Sequence, residues 1–531
     1  MFETQPTRPQ AYDKQLLNWL LILIVIFAGL RYSYTISRLG MTIADYDTFL
    51  LSKVTFRIDE ADSILEATRA YDHGYGYQSF LIFLKEMTGL ELHTLQLLVV
   101  PLATSLTSLV AFMSIKMITG SAYSAFFATI LLYLQPDFIF VTWRGSHESI
   151  DWILVLCMIF VLARTVKGDL RIRAAWRYVL LFYILFFGLV SSSTFITTSL
   201  VGVILLAFLF GVFIRMARSI IRNVQIRPIN SGQRFFYIGV LSIIIIYVHM
   251  FFIYTVTQSS LDAVGSVIGA FLYIIFGVEQ SANAYGYVDR TWLNPQGYLL
   301  INSITWFILL GGFSSWLVMV WRYFRRSMDD MHFFLMCLYF GFGTVFALAI
   351  IFDLGGLFSG NLQVRVIIGI MVVSIIVLSH VGTLFLNFIA PGYRRGIMLA
   401  ISLILFMFSM LGPIKTTLEP LVNQRWVFIA REELLATEWI VNRSNGAVIW
   451  GGMDGRIPTG TRFYNLDWTE DDVLFYGETR TDPNFYMISN LERLRWLRVE
   501  RPLPQFDNEN LVYTNGDSQV YRPLPQTPYQ R

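Results

Sequence analysis

Two carboxylates, Asp45 and Asp47, stand one residue apart shortly after the first long apolar run, Leu16 to Leu30. Acidic groups beside lipid are costly to keep. A pair like this takes a proton from a hydroxyl, grips a metal ion, or lies solvated in a loop. In an extended segment the two side chains point the same way, since direction repeats every two residues. They would then titrate as a coupled unit. A second polar cluster, Trp143-Arg144-Gly145-Ser146-His147-Glu148 with Asp151, interrupts the apolar sequence further on. Glu148 and Asp151 are three apart and share a helix face. Arg144 offers a forked contact to a phosphate. His147 offers a metal ligand or a proton carrier. Arg144 with Glu148 also reads as a structural ion pair.

Three further places carry polar groups. His73 lies in His73-Gly74-Tyr75-Gly76-Tyr77, which reads either as a site or as a turn. Asp353 and Arg365 bracket the glycine-rich stretch Gly355 to Gly360. Arg365 there either meets a pyrophosphate head group or caps an interface. His249, His332 and His380 lie in or beside apolar runs and read as helix packing or capping groups.

The elements that must position these groups are mostly membrane spans. The chain has 531 residues, 55% of them hydrophobic and 15% charged, whereas soluble proteins are usually nearer ~25% charged. Continuous apolar windows recur, which excludes an alternating β-barrel pattern. Eleven spans are expected, near residues 16–34, 92–116, 122–141, 149–164, 177–191, 195–215, 235–256, 298–321, 332–352, 365–389 and 397–412. The run 262–277 is ambiguous between a further span and a re-entrant element. The first span reads as a retained helix rather than a cleaved signal. Cys157 and Cys337 sit inside apolar runs and imply no disulfide framework. The basic residues fall in short clusters between spans, with no nucleic-acid signature.

Those clusters orient the chain. They span Arg164 to Arg177, Arg215 to Arg234, Arg322 to Arg326, and Arg394 with Arg395. All four fall on one side, the cytoplasmic one, if 262–277 does not cross. The polar loop Arg38 to Glu91 (residues 38–91) then lies outside, with the Arg144 cluster and everything from Pro413 onward. Within that loop, Ile58 to Tyr71 and Tyr77 to Met87 read as interfacial helices. The chain divides into a transmembrane module, 1–422, and a small extracytoplasmic α/β domain, 423–531. In the latter, Arg431 to Asn442 reads as a helix. Ala447 to Trp450 and Val473 to Tyr476 read as strands, and Leu491 to Leu497 as a helix. Leu511 to Tyr521 reads as a hairpin turning at Asn515-Gly516.

This layout resembles the GT-C superfamily of integral-membrane glycosyltransferases. Asp45-Tyr46-Asp47 matches the acidic motif after the first helix in the first outer loop, and 58–87 matches the interfacial part. His147, Glu148 and Asp151 match an acidic position in the second outer loop, and 423–531 matches an outer C-terminal domain. The resemblance implies sugar transfer from a polyprenyl-phosphate carrier to a glycan, lipid or protein acceptor outside the plasma membrane. Asp47 or Asp45 would be the base. Arg144 and Arg365 would hold the phosphate, with His73, His147, Glu148 and Asp151 in the substrate site. A magnesium or manganese ion bridging Asp47 and Glu148 is compatible with this. No Trp-Trp-Asp motif of the oligosaccharyltransferase catalytic subunits is present. Two other readings fit parts of the chain. A transporter or flippase calls for midplane charges and repeated halves. A scaffold accounts for the outer domain but not for the two acidic clusters.

The orientation has a direct test. A cysteine introduced near Asn515 is expected to react with a membrane-impermeant maleimide in intact cells. Labelling only after permeabilisation would reverse the topology.

Overall fold

The computed structural model describes residues 11–39, 46–61, 74–167, 171–222, 230–253, 295–325, 329–354 and 362–388. It also describes 411–417, 431–443, 449–450, 484–490 and 509–523, with isolated residues between. Asp45, His73 and the run 262–277 lie outside the described residues, as does most of the span expected at 397–412.

The chain is a polytopic α-helical membrane protein with a small sheet-bearing C-terminal part. α1 (Ala11–Leu39) is followed by two short helices, α2 (Tyr46–Ala61) and α3 (Gly76–Thr88). The next span, α4, runs Leu92–Thr119. α5 (Ala122–Tyr133) and α6 (Pro136–Trp143) follow, then α7 (His147–Lys167), α8 (Ile172–Ser192), α9 (Thr194–Arg222) and α10 (Ser231–Ile253). α11 (Pro295–Arg325), α12 (Asp330–Leu354) and α13 (Leu362–Phe388) complete the long helices. Among the described residues nine helices are long and apolar enough to span, with the bent pair α5–α6 as a tenth. These match ten of the eleven expected spans.

One of the ten differs from expectation. The span at 122–141 is not a continuous helix; it bends by 71° between α5 and α6. Pro136 causes this. It has no N–H to continue the helix and forces the residue before it to be extended. Gln135 is extended (φ −71°, ψ 129°), and its side chain accepts from Phe138 N as the cap of α6. The pair still crosses as one broken span. Ser124, at the start of α5, contacts Thr383 Oγ1 at 2.5 Å near the end of α13. Gly145, just past α6, lies beside Gln96 at the start of α4. The bent pair therefore runs the full length of α4.

Burial separates the centre from the lipid face. α13 is 78% buried across its apolar window, while α8 is 22% buried. Trp19, Leu30, Phe187, Phe213 and Ile245 point outward from α1, α8, α9 and α10, as lipid-facing apolar residues do. At the basic-cluster end, His332 is capped through backbone and ring by Asp329 and packs edge-on against His380, ring centroids 4.3 Å apart. Of the three histidines read as capping and packing groups, His332 and His380 serve that way here. The hydrogen bond from His332 holds the Asp329 carboxyl down at about 2. At the other end Asp353 is fully buried and accepts from Leu362 N at 3.2 Å and Gln363 N at 2.7 Å. It thereby satisfies N–H groups that the first turn of α13 would leave bare.

The interfacial helices also differ from expectation. The first described helix of the loop is α2, Tyr46–Ala61, which begins well before Ile58, while residues 62–71 of the helix expected at Ile58 to Tyr71 lie outside the described residues. Asp47 thus stands in the first turn of a helix rather than in an extended segment, and Asp45 lies outside the described residues. α3 agrees with the expected 77–87. Lys85 of α3 bonds both carboxylate oxygens of Asp59 in α2, at 2.8 and 2.6 Å.

In the C-terminal part, α14 (Leu411–Thr417) packs on α6, with Thr416 Oγ1 donating to Pro136 O at 3.5 Å. α15 (Arg431–Val441) covers a four-stranded sheet of β1 (Ile449–Trp450), β2 (Phe485–Ser489), β3 (Asn510–Thr514) and β4 (Ser518–Arg522). The order is β1-β2-β4-β3, with β1 parallel to β2 and the others antiparallel. Ala436 and Ile440 of α15 pack on Ile449, Met487 and Val520. The hairpin turns at Asn515-Gly516, as expected, with Gly516 at φ +95°. β2 was not expected. The strand expected at 473–476 lies outside the described residues, as does most of the helix expected at 491–497.

Asp353→Ala is expected to destabilise the bundle by about 1–2 kcal/mol, the scale of a lost helix cap. Thermal unfolding in detergent measures it; an unchanged midpoint would mean that the cap does not hold α13.

Candidate functional site

The site is built on a turn. α6 ends at Trp143 and α7 begins at His147, leaving Arg144-Gly145-Ser146 between two apolar helices. Residues from Val141 through Ser149 are all buried. Backbone groups there need partners from the protein, because an unsatisfied carbonyl away from water costs free energy. Gly145 O accepts from two side chains, Tyr77 Oη of α3 and Gln96 Nε2 of α4, the latter at 2.8 Å. A Cβ on residue 145 would run into the Gln96 backbone and side chain, so only glycine fits this close approach.

Gln96 is 2% exposed. Its Nε2 also donates to Thr48 O at 3.0 Å, and its Oε1 accepts from Ser52 Oγ. One carboxamide therefore ties α2, at the residue after Asp47, to the Arg144–Gly145 turn. Gln96 stands on a π-helical stretch, Leu95–Val99. Pro101 explains that stretch. It cannot donate to Leu97 O, and its ring would strike that carbonyl in a regular helix. The wider turn relieves the clash, and such turns recur at functional sites.

Around this turn the structure gathers four of the expected residues. Arg144 and Glu148 form an ion pair through Arg144 Nη2 and Glu148 Oε2, four residues apart on the turn and α7. The Arg144 side chain is 1% exposed and its guanidinium lies 4.4 Å over the Phe140 ring. His147 is buried at the start of α7. Asp151, one turn further in, is fully buried near Glu148 and Ser192 of α8. Asp47 enters through the backbone of α2, beside Thr48.

Arg365 is not part of this group in the described structure. It lies in the first turn of α13 with its guanidinium 5.6 Å from the Phe195 ring centroid. Asp353, the other bracket of that loop, is spent on the α13 cap. Among the described residues no three His, Cys, Asp or Glu side chains converge as a cation site, and the Glu148 carboxylate is engaged by Arg144.

Several residues at the site were not expected. Gln96 is one, and a lone amide in an apolar span was the available signal. Tyr77 is another, placed by the Gly74-to-Tyr77 motif, whose glycines lie directly against Ser191. Arg31 is a third. It is buried in α1, donates to Ser105 Oγ at 3.3 Å and to Thr142 Oγ1, and lies 4.9 Å over the Tyr133 ring.

Arg144→Met should destabilise the bundle by roughly 3–5 kcal/mol, because it leaves a buried carboxylate without its cation. Adding Glu148→Gln should recover much of that loss. Additive losses in detergent melts would show that the two side chains do not interact.

No family model matches the sequence, and no curated protein does. Solved structures do resemble the fold. ArnT from Cupriavidus metallidurans bound to undecaprenyl phosphate aligns with TM-score 0.50 and 12% identity, over 96% of this chain and 99% of that one. The same protein in the apo state gives TM-score 0.50 and 13% identity, over 96% of this chain and 100% of that one. The arabinofuranosyltransferase AftD from Mycobacteria gives TM-score 0.44 and 12% identity, over 94% of this chain and 41% of that one. At these identities the ArnT likeness is one of fold.

Proposed function

We propose that this chain is a membrane glycosyltransferase moving a sugar from a polyprenyl-phosphate carrier to an acceptor on the outer face of the plasma membrane. One observation supports it most. The fold is shared with a protein solved with undecaprenyl phosphate bound, and this chain gathers arginine, histidine and carboxylates into a buried turn at one end of the bundle.

The chemistry follows from the donor. Its phosphate is already a good leaving group, so acid help on that side is small. The acceptor hydroxyl must lose a proton, and the departing phosphate gains a negative charge. In one step the acceptor oxygen bonds the anomeric carbon as the bond from that carbon to the phosphate oxygen breaks. The hydroxyl proton goes to a carboxylate, Asp47 or Asp45 in this reading, and direct attack inverts the anomeric centre. Arg144 stabilises the charge that develops on phosphate. Its planar side chain is held by Glu148 and Phe140 and so needs little reorganisation. Arg365 and His73 are kept as outer contacts for donor or acceptor. His147, Glu148 and Asp151 line the site, and no step is routed through a metal. The lipid tail enters sideways from the bilayer. The acceptor is a glycan, lipid or protein outside the cell, and the C-terminal part stands on that side.

Transfer from a synthetic polyprenyl-phosphate sugar into acceptor extract, by purified protein in proteoliposomes, tests this. Asp47→Asn should lose roughly 10²–10⁴ in turnover, the usual range for a missing general base. Donor binding should change far less. Near-normal turnover in both Asp45→Asn and Asp47→Asn would overturn the reading.

A further inference from the structure

We infer that Gln96 is a positioning residue for this transfer reaction, holding the start of α2 against the Arg144–Gly145 turn. The inference rests on the transferase reading above, and it adds a residue that touches neither substrate nor reacting atoms.

The geometry leaves little choice of partner. The two carbonyls on Gln96 Nε2 come from different elements, Thr48 O at 3.0 Å and Gly145 O at 2.8 Å. Thr48 follows Asp47, and Gly145 follows Arg144. The carboxamide is thus one residue removed from the proposed base on one side and from the proposed phosphate contact on the other. Its orientation is not free, because two carbonyls that only accept face Nε2, while Ser52 Oγ, itself 1% exposed and also bonded to Thr48 O at 2.8 Å, lies against Oε1. Reversing the amide would set its one oxygen against two carbonyl oxygens. The π-helical stretch and the missing Cβ at Gly145 let the side chain reach both partners at once. α2 also packs on α3 and α4 through Leu51, Tyr77, Leu81 and Leu95. That apolar contact holds the helix down. The amide is the directional link that fixes where its first turn sits.

A misplacement of about 1 Å between reacting groups costs on the order of 100-fold in rate. Gln96→Leu keeps the volume and removes all three hydrogen bonds. In the proteoliposome assay its turnover should fall about 100-fold by the same reasoning, with donor KM little changed. Hydrogen exchange over residues 46–52 should quicken, whatever the chain catalyses. Gln96→Glu keeps the acceptor for Ser52 and regains a donor only when protonated. Its turnover, relative to wild type, should therefore recover as pH falls, while Gln96→Leu shows no recovery. Ser52→Ala leaves both Gln96 Nε2 bonds in place and removes the hydroxyl that lies against Oε1 and also bonds Thr48 O. It should give a smaller drop in the same sense, which covers the case in which Gln96→Leu does not fold.

Unchanged exchange at 46–52 in Gln96→Leu would overturn the positioning role. Quickened exchange with unchanged turnover would overturn its catalytic consequence, and so would matching pH profiles for the Leu and Glu variants. Wild-type turnover in both Asp45→Asn and Asp47→Asn would instead overturn the transferase reading, and the exchange data distinguish that failure from a failure of Gln96.

Discussion

The carbonyl of Gly145 has no water to turn to. It lies in a buried break between two apolar helices, where an unpaired carbonyl is expensive. Two side chains from separate elements meet that need, Tyr77 and Gln96. Much of the local architecture follows. Tyr77 must be presented by α3, so one face of α3 lies against the bundle, with Gly74 and Gly76 pressed on Ser191. Gln96 must reach down from α4, and the π-helical stretch before Pro101 widens the helix at that point. Residue 145 must be glycine, because the two chains meet backbone to side chain. Once Gln96 is in place its second N–H fixes α2.

The spans were legible because twenty-odd apolar residues in a bilayer have one stable backbone solution, a helix. The hairpin at Asn515-Gly516 was legible because the turn itself demands those residues. The break at Gln135-Pro136 was written in the sequence but hidden by the apolar run around it; hydropathy does not register a missing N–H. α2 was placed too late because its start, Tyr46 to Leu51, reads as a continuation of the polar loop. What makes it a helix there is packing of Leu51, Val54 and Ile58 on α3 and α4, a contact between distant segments. β2 stayed unread for a related reason: its partners, Ile449 and the hairpin strand β4, lie far off in sequence.

The candidate site was legible in its residue types and not in its pairing. Arg144, His147, Glu148 and Asp151 stand out because charges are rare in this chain. That Arg144 closes on Glu148 follows from their four-residue spacing across the turn and agrees with the structural reading of the pair. Gln96 and Arg31 each carry one polar group in an apolar helix, and their importance lies wholly in what they meet. Sequence spacing does not bring Thr48, Gln96 and Gly145 together; only the packed bundle does.

The Arg144–Glu148 pair bears on how such a site would discriminate ground from transition state. Burying a lone guanidinium at this depth is costly, and Glu148 offsets that cost. It also neutralises the arginine, which would weaken its hold on a singly charged donor. As the sugar leaves, the phosphate moves from one negative charge toward two, and its claim on the guanidinium grows while that of Glu148 stays constant. A cation shared in this way binds the developing charge more strongly than the starting one, which is the condition for lowering a barrier rather than merely tightening binding. An unpaired arginine in the same place would hold donor and departing phosphate alike and would retain the spent carrier. In the proposed reaction, then, the same carboxylate that lets Arg144 exist inside the bundle also keeps it from binding the donor too well.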